Sequence, residues 1–100
     1  MAKHKFNAKP TVKDGIRFDS KKEARYYEDL KTRRHVGDVI FFLRQVPIDL
    51  PGNVKYRVDF VEFWADGTVH FVDVKGMRTP QYITKKRIIE ALYPITIEEV

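Results

Sequence analysis

The sequence predicts one compact α/β domain, in which two helices flank a mixed sheet whose first three strands form a β-meander. Two segments have helical spacing and four segments are rich in β-branched and aromatic residues, and together they give the order α-β-β-β-α-β. The chain has 100 residues, of which 43% are hydrophobic and 13% aromatic. That length supports a single domain with a modest core, and we assign it to residues 14–100.

A basic N-terminal arm is predicted over residues 1–13. It contains four lysines and no acidic residue: Lys3, Lys5, Lys9 and Lys13. Such an arm either contacts phosphates, with Lys9 as the candidate residue, or serves as a solubilising tail. The sequence does not favour one of these roles over the other.

The first helix is predicted to begin at Ser20 and to end at Gly37. Ser20 followed by Glu23 three residues later is the pattern of a capping box. The apolar face has helical spacing and consists of Ala24, Tyr27 and Leu30. Glu23 lies four residues before Tyr27, on or beside that face. Two roles for Glu23 therefore remain: a helix cap, which the spacing favours, or a carboxylate that reaches a site on the sheet.

The first strand is predicted over residues 39–43, well buried and extending toward Gln45 and Val46. Pro47 and residues 50–53 are expected to form the connection to the second strand, residues 56–64. The third strand covers residues 69–75.

The second helix is predicted to open at Thr79-Pro80, an N-cap followed by a proline at the first helical position. It should run to about Leu92, and a last short strand is predicted at residues 95–97. The helix also contains Lys85 and Lys86. These lysines are either candidates for contact with phosphate or part of a solvated helix face.

In two neighbouring strands, the side chains on one face are apolar in one part of the strand and charged at one end of it. Residues two apart on a strand point to the same side, so Asp73 and Lys75 continue the apolar row of the third strand. On the second strand, Arg57 and Asp59 should share a face with Val61 in the same way. Charges at the rim of a core indicate a functional site.

The turn at Asp66-Gly67 decides whether Asp59 meets Asp73. A two-residue loop would place the two aspartates on opposite faces of the sheet and abolish the site. A three-residue loop, with Gly67 in the left-handed region, places Asp59 opposite Asp73. We predict the three-residue loop, because it alone gathers the apolar pairs on one face.

Two carboxylates that face each other across neighbouring strands repel, and a divalent cation gives a reason for their placement. Oxygen ligands without nearby cysteine or histidine favour Mg²⁺ or Mn²⁺ over zinc. Lys75 would then meet a phosphate or a water. The structural alternative makes Asp59 a strand-end residue and Asp73 with Lys75 a solvated pair, which is the usual reading of an isolated Asp-X-Lys.

The charge balance indicates an anionic partner. The chain carries 19 Lys and Arg, 14 Asp and Glu, and a net charge of +5, and nucleic acid is the commonest partner of such chains. The absence of cysteine excludes disulfides and thiolate chemistry and fits a reducing cytoplasm. The apolar runs are too short to span a bilayer, and no secretory signal is visible.

An acidic residue in the first helix, an Asp in the second strand and Asp-X-Lys in the third resemble the PD-(D/E)XK nuclease superfamily. More specifically, Asn7-Ala8-Lys9, residues 15–25 and Asp73-Val74-Lys75-Gly76 resemble a family of small phage and prophage endonucleases. That family is often described only as a domain of unknown function, with suspected roles in recombination or branched-DNA cleavage. The resemblance covers nearly the whole chain and implies a restriction-endonuclease-like core. Val58 stands where the superfamily has a proline before its first aspartate.

The resemblance implies an endodeoxyribonuclease that depends on Mg²⁺, with Mn²⁺ able to substitute. It assigns catalysis to Glu23, Asp59, Asp73 and Lys75. Asp59, Asp73 and the carbonyl of Val74 would hold the metal ion, and Glu23 would contribute through a water. Lys75 would orient or help to deprotonate the attacking water.

DNA is the expected partner, with four candidate contact residues: Lys9, Arg57, Lys85 and Lys86. We also expect a homodimer, because a small nuclease that cuts two strands needs a second site. No membrane or small-molecule cofactor is expected, and the location would be the cytoplasm, in a bacterial host cell if the chain is phage-encoded. The alternative function is a catalytically silent nucleic-acid-binding or assembly module with the same fold.

Overall fold

The computed structural model describes residues 10–100, so Lys9 and the rest of residues 1–9 lie outside the described residues. The helices and strands are β1 Thr11–Lys13, β2 Ile16–Phe18, α1 Lys21–Val36, β3 Val39–Leu50, β4 Val54–Trp64, β5 Val69–Asp73, α2 Pro80–Leu92 and β6 Ile97–Glu99. From α1 onward the order is α-β-β-β-α-β. The predicted α/β class and element order are therefore confirmed.

The main sheet has the strand order β3-β4-β5-β6, and α1 and α2 cover its opposite faces. The β3–β4 and β4–β5 pairs are antiparallel, whereas β5 and β6 are parallel because α2 carries the chain across between them. Phe60 packs with the core residues of α1, and its neighbour Val61 packs with those of α2. The core consequently consists of two layers, one on each side of the sheet.

A hairpin of β1 and β2 precedes α1 and was not predicted from the sequence. Asp14 and Gly15 form its two-residue turn, with φ of 53° and 74°, as a tight hairpin turn requires. Phe18 is buried, and its ring lies 5.0 Å from that of Tyr27. Thr11–Lys13, the end of the predicted arm, thus belongs to the fold. The Asp-Gly pair at positions 14 and 15 was the signal available in the sequence.

Helix α1 has the predicted limits. The Ser20 hydroxyl accepts a 3.1 Å hydrogen bond from the backbone N–H of Glu23, and Gly37 ends the helix in the left-handed region at φ 95°. The predicted apolar face is buried. This geometry fixes the first turn of α1 against the sheet, close to the end of β5.

Strand β3 is longer and more exposed than the sequence predicts. Pro47, which was expected in a connection, lies inside the strand opposite Arg57. A proline is tolerated there because β3 is an edge strand with one unpaired side. Ile40, Phe41 and Leu43 are exposed, so the prediction of a well-buried strand was wrong. A run of apolar residues cannot distinguish an edge strand from a central one.

Helix α2 begins as predicted, with the Thr79 hydroxyl accepting a hydrogen bond from the N–H of Tyr82 and Pro80 in the first position. The last strand, β6, begins at Ile97, two residues later than predicted. Among residues 10–100, neither α1 nor α2 is long and apolar enough to cross a membrane.

Candidate functional site

The turn between β4 and β5 has three residues, as predicted. The N–H of Trp64 donates to the carbonyl of Thr68 at 2.9 Å, and Gly67 has φ 91°. Phe63 pairs with Val69, and the ladder continues in that register to Phe60 opposite Val72. Asp59 and Asp73 come directly after the last pair of this ladder.

Asp59 and Asp73 are joined through backbone groups at that position. The N–H of Asp59 donates to Oδ1 of Asp73 at 3.0 Å, and the N–H of Val74 donates to Oδ2 of Asp59 at 2.9 Å. Each carboxylate therefore accepts a hydrogen bond from the opposite strand. Such donors partly offset the repulsion between two acidic side chains.

The alternation of side chains along β4 is interrupted at Asp59. Val58 and Val61 both pack with the core residues of α2, although strict alternation would place them on opposite faces. Opposite this point, Gln45 of β3 has φ 53°, in the left-handed region. The alternation predicted that Asp59 lies on the same face as Val61, and this prediction was wrong. The Asp59 side chain turns toward Glu23 of α1 instead.

A cavity of ≈ 460 Å³ lies between the start of α1 and the end of β5. Its lining includes the acidic residues Glu23 and Asp59, Val74, and basic residues that include Lys22 and Lys75. Four residues that were predicted for one site thus reach one cavity: Glu23, Asp59, Val74 and Lys75. Carboxylates and cations in one concave site suit a ligand that carries a metal ion and phosphate together.

Glu23 contributes its carboxylate to the cavity. The side-chain amide of Gln45 donates to Glu23 Oε2 at 3.1 Å and to Asp59 Oδ1 at 3.3 Å, so it bridges the two acids. Burial, followed by the charges of Asp59 and Asp19, raises the pKa of Glu23 to about 7. Ser20 caps the helix through the Glu23 backbone, and the Glu23 carboxylate belongs to the site.

Asp73 is completely buried beside this cavity and is not among its lining residues. Burial raises the pKa of Asp73 and that of Asp59 above the ordinary aspartate value, although backbone hydrogen bonds and Lys75 act in the opposite direction. Oδ2 of Asp73 has no hydrogen-bond partner among the described residues. A buried carboxylate oxygen without a partner is unfavourable unless a cation or donor reaches it.

The donor set fits a hard divalent cation. Within residues 10–100, no three or more His, Asp or Glu side chains are gathered as a ready metal cluster. Mg²⁺, however, is commonly held by one or two carboxylates and keeps several waters. Asp59 and Asp73, with the orphaned Oδ2 of Asp73, supply that number.

Lys75 extends over an aromatic ring. Its Nζ lies 4.4 Å from the centre of the Tyr82 ring, and its carbonyl accepts a hydrogen bond of 3.1 Å from Nζ of Lys22. No ion pair of the described residues joins Lys75 to Asp73, and Asp73 has no exposed surface. The structural alternative, a solvated Asp73–Lys75 pair, is therefore wrong.

The predicted phosphate contacts divide into three groups. Arg57 and Lys85 line a separate cavity on another side of Lys75. Lys86 instead lies 3.5 Å from the carboxylate of Glu99. Lys9 lies outside the described residues.

Sequence reasoning missed Gln45 and Lys22 as residues of the site. Nothing in the sequence shows that Gln45 adopts a left-handed conformation or bridges two carboxylates. Lys22 had a signal, because a lysine in the first turn of a helix opposes the helix dipole. Because a lysine in this position does not stabilise the helix, its placement is a signal of a functional role.

The family comparison covers nearly all of this fold. A family model described as "Protein of unknown function (DUF1064)" matches residues 3–98. No curated protein matches the chain significantly. The matched segment contains both helices and every residue of the cavity described above. The chain therefore belongs to the DUF1064 family.

Proposed function

We propose that this protein is a metal-dependent endonuclease that hydrolyses phosphodiester bonds in DNA, as its resemblance to the PD-(D/E)XK superfamily implies. One observation carries the proposal. Glu23, Asp59 and Lys75 meet at one cavity, and Asp73 is buried next to Asp59 with one carboxylate oxygen unsatisfied. A scaffold that keeps acidic groups buried and close together sacrifices stability, which favours a functional reason for them.

The metal ion would be Mg²⁺, with Mn²⁺ as a substitute. Asp59, Asp73 and the carbonyl of Val74 would hold it, and Glu23 would act through a water molecule. When bound, such an ion supplies charge that polarises the phosphate and lowers the pKa of a bound water.

Lys75 and its neighbours supply the protein's own part of the chemistry. The Lys75 ammonium would orient the attacking water and stabilise the negative charge that develops on the phosphate. Contact with the Tyr82 ring limits the positions of its long side chain. Lys21, Lys22 and Arg25 line the same cavity and would attract the DNA backbone.

The substrate class that fits a phage context is branched DNA or a recombination intermediate. Cleavage of two strands would need a second copy of the site, which a symmetric homodimer would supply. The protein would then act in the cytoplasm of a bacterial cell.

The direct test is a cleavage assay on linear duplex, single-stranded, flapped and four-way DNA, each with Mg²⁺ and with Mn²⁺. Asp73→Asn keeps an oxygen that can accept the hydrogen bond from Asp59, so the variant should fold. We expect it to lose more than about a hundredfold in rate, more than the loss of an outer-shell partner would cause. The matched control is Asp38→Asn, because Asp38 is exposed and lies outside the cavity.

Two outcomes would overturn the proposal. Cleavage by Asp73→Asn at the wild-type rate would remove the catalytic assignment. DNA binding without cleavage on every substrate under saturating Mn²⁺ would identify a silent binding module instead.

A further inference from the structure

A second cavity, of ≈ 320 Å³, lies between the start of β4 and the N-terminus of α2. Four basic residues line it, and no acidic residue does: Lys55, Arg57, Lys75 and Lys85. Lys75 also lines the cavity that contains Glu23 and Asp59. Lys75 therefore borders both cavities.

Three of the four basic residues around this second cavity form no ion pair with another described residue. Lys55 forms an ion pair with Asp49 at 2.5 Å. Within residues 10–100, Arg57, Lys75 and Lys85 take part in no ion pair. Three unpaired cations around one concavity repel one another and produce a local positive potential. An anion in the cavity would relieve this repulsion.

Tyr56 provides an independent sign of a missing ligand. The residue lines the cavity and is only 6% exposed, yet its hydroxyl is buried without a hydrogen-bond partner. Buried tyrosine hydroxyls normally find a partner, because an unsatisfied polar group in the interior lowers stability. A phosphate oxygen is a strong acceptor of the kind that this hydroxyl lacks. Because the hydroxyl has almost no accessible surface here, contact with a phosphate in the cavity requires the Tyr56 side chain to shift toward it.

The N-terminus of α2 adds a further donor. Thr79 and Gln81 line the cavity, and the Thr79 hydroxyl already accepts a hydrogen bond from the N–H of Tyr82. The N–H of Gln81 lies in the first turn, where the helix itself offers no acceptor. The helix dipole also favours an anion at this end of the 13-residue helix.

We propose that this cavity binds one phosphate group of a DNA strand, next to the phosphate held beside Asp59 and Lys75. Arg57 and Lys85 provide the charge, and the Tyr56 hydroxyl provides a neutral donor after a shift of its side chain toward the phosphate. The position along the strand rests on the proposed nuclease function, because Lys75 links the two cavities. Phosphate binding itself rests only on the second cavity.

The first experiment measures binding without catalysis. A ¹⁵N-labelled protein is titrated in EDTA with the oligonucleotide (dT)₄, with and without a 5′-phosphate. We expect the amide signals of Thr79 and Gln81 to shift. Lys85→Ala should weaken binding about five- to tenfold. It should also reduce the slope of the logarithm of the binding constant against the logarithm of the salt concentration by about one. Tyr56→Phe should weaken it about three- to tenfold through the lost hydrogen bond.

The matched control is Arg87→Ala. Arg87 is exposed on the same helix, carries the same charge and does not line the cavity. Its removal should change the affinity by less than about twofold. Equal losses in Lys85→Ala and Arg87→Ala, with no loss in Tyr56→Phe, would overturn the proposal, since they would indicate a general charge effect.

A second experiment locates the bound phosphate. Single neutral methylphosphonate linkages are placed one position at a time along a longer oligonucleotide. Wild-type protein should lose affinity at one position, and Lys85→Ala should be insensitive to that substitution. If a 5′-terminal phosphate accounts for all of the Lys85-dependent affinity, the cavity binds the end of a strand. The proposal that it binds a phosphate within the strand would then be wrong. If sensitivity to the linkage persists unchanged in Lys85→Ala, the cavity does not bind that phosphate.

The two proposals can fail separately. If the amide signals of Thr79 and Gln81 shift on titration but no metal ion supports cleavage, phosphate binding by the cavity is supported and the nuclease proposal is wrong. Metal-dependent cleavage that is unaffected by Lys85→Ala and Tyr56→Phe would do the reverse.

Discussion

The backbone N–H of Asp59 donates a hydrogen bond of 3.0 Å to Oδ1 of Asp73. This bond uses one oxygen of the buried Asp73 carboxylate and leaves Oδ2 without a partner. It also makes the position of Asp73 depend on the register of β4 against β5. The metal proposal therefore has consequences for stability as well as for cleavage.

Mg²⁺ should stabilise the folded protein through Asp59 and Asp73. A ligand that binds only the folded state at one hundred times its dissociation constant adds about 2.7 kcal/mol to the free energy of unfolding. Thermal denaturation at increasing Mg²⁺ should therefore show a rising midpoint for the wild type. Asp59→Asn and Asp73→Asn should not respond, whereas Asp38→Asn should respond as the wild type does. A midpoint of Asp73→Asn that rises equally with Mg²⁺ would contradict the ligand assignment.

Metal-free protein should become less stable as the pH rises from about 4.5 to about 7. The pKa of Glu23 is 4.5 in the unfolded chain and about 7 in the folded protein, so the unfolded chain loses its proton first. The contribution of protonated Glu23 to the free energy of unfolding is fully present below pH 4.5 and is lost as the pH passes 7. This contribution is at most about 3 kcal/mol. Urea denaturation in EDTA between pH 5 and pH 8 measures it.

The control for this pH dependence is Glu23→Gln. The raised pKa values of Asp59 and Asp73 act in the same direction, so the variant should reduce the pH dependence without removing it. Identical pH profiles of wild type and Glu23→Gln would show that Glu23 titrates normally in the folded protein.

Substitutions of Gln45 should separate its backbone conformation from its amide bridge. At φ 53°, a side chain with Cβ costs on the order of 1 kcal/mol relative to glycine. Gln45→Gly should therefore be more stable than Gln45→Ala by about that amount, although both lose the hydrogen bonds to Glu23 and Asp59. The free energies of unfolding of the two variants, measured by urea denaturation, test this expected difference. Equal stability of the two variants would mean that this position is not constrained.

Gly67→Ala should destabilise the protein by about 1–2 kcal/mol. The residue adopts φ 91°, and an added Cβ would meet no atom within 4 Å, so the cost comes only from backbone conformation. Gly76→Ala is the control, because its Cβ also meets nothing and its φ is not in the left-handed region. Its effect on the free energy of unfolding should stay within about 0.5 kcal/mol. Equal effects of both substitutions would argue against the three-residue turn conformation.

Local sequence signals predicted those features that depend on neighbouring residues. Ser20 and Gly37 marked the limits of α1, and Thr79-Pro80 marked the start of α2. The three-residue turn followed from the requirement that apolar pairs share one face. The missed β1–β2 hairpin had a comparable signal at Asp14-Gly15. These features could be predicted because capping and turn geometry involve only a few successive residues.

The sequence by itself therefore determined the α/β order, the register of Asp59 against Asp73 and the choice of candidate acids. Only the tertiary structure decided that β3 is an exposed edge strand, and that the Glu23 backbone takes part in the helix cap while its carboxylate lies beside Asp59. It alone showed that Gln45 bridges two carboxylates. The physical reason is that burial, edge position and long-range hydrogen bonds depend on segments distant in the chain, which no local spacing encodes.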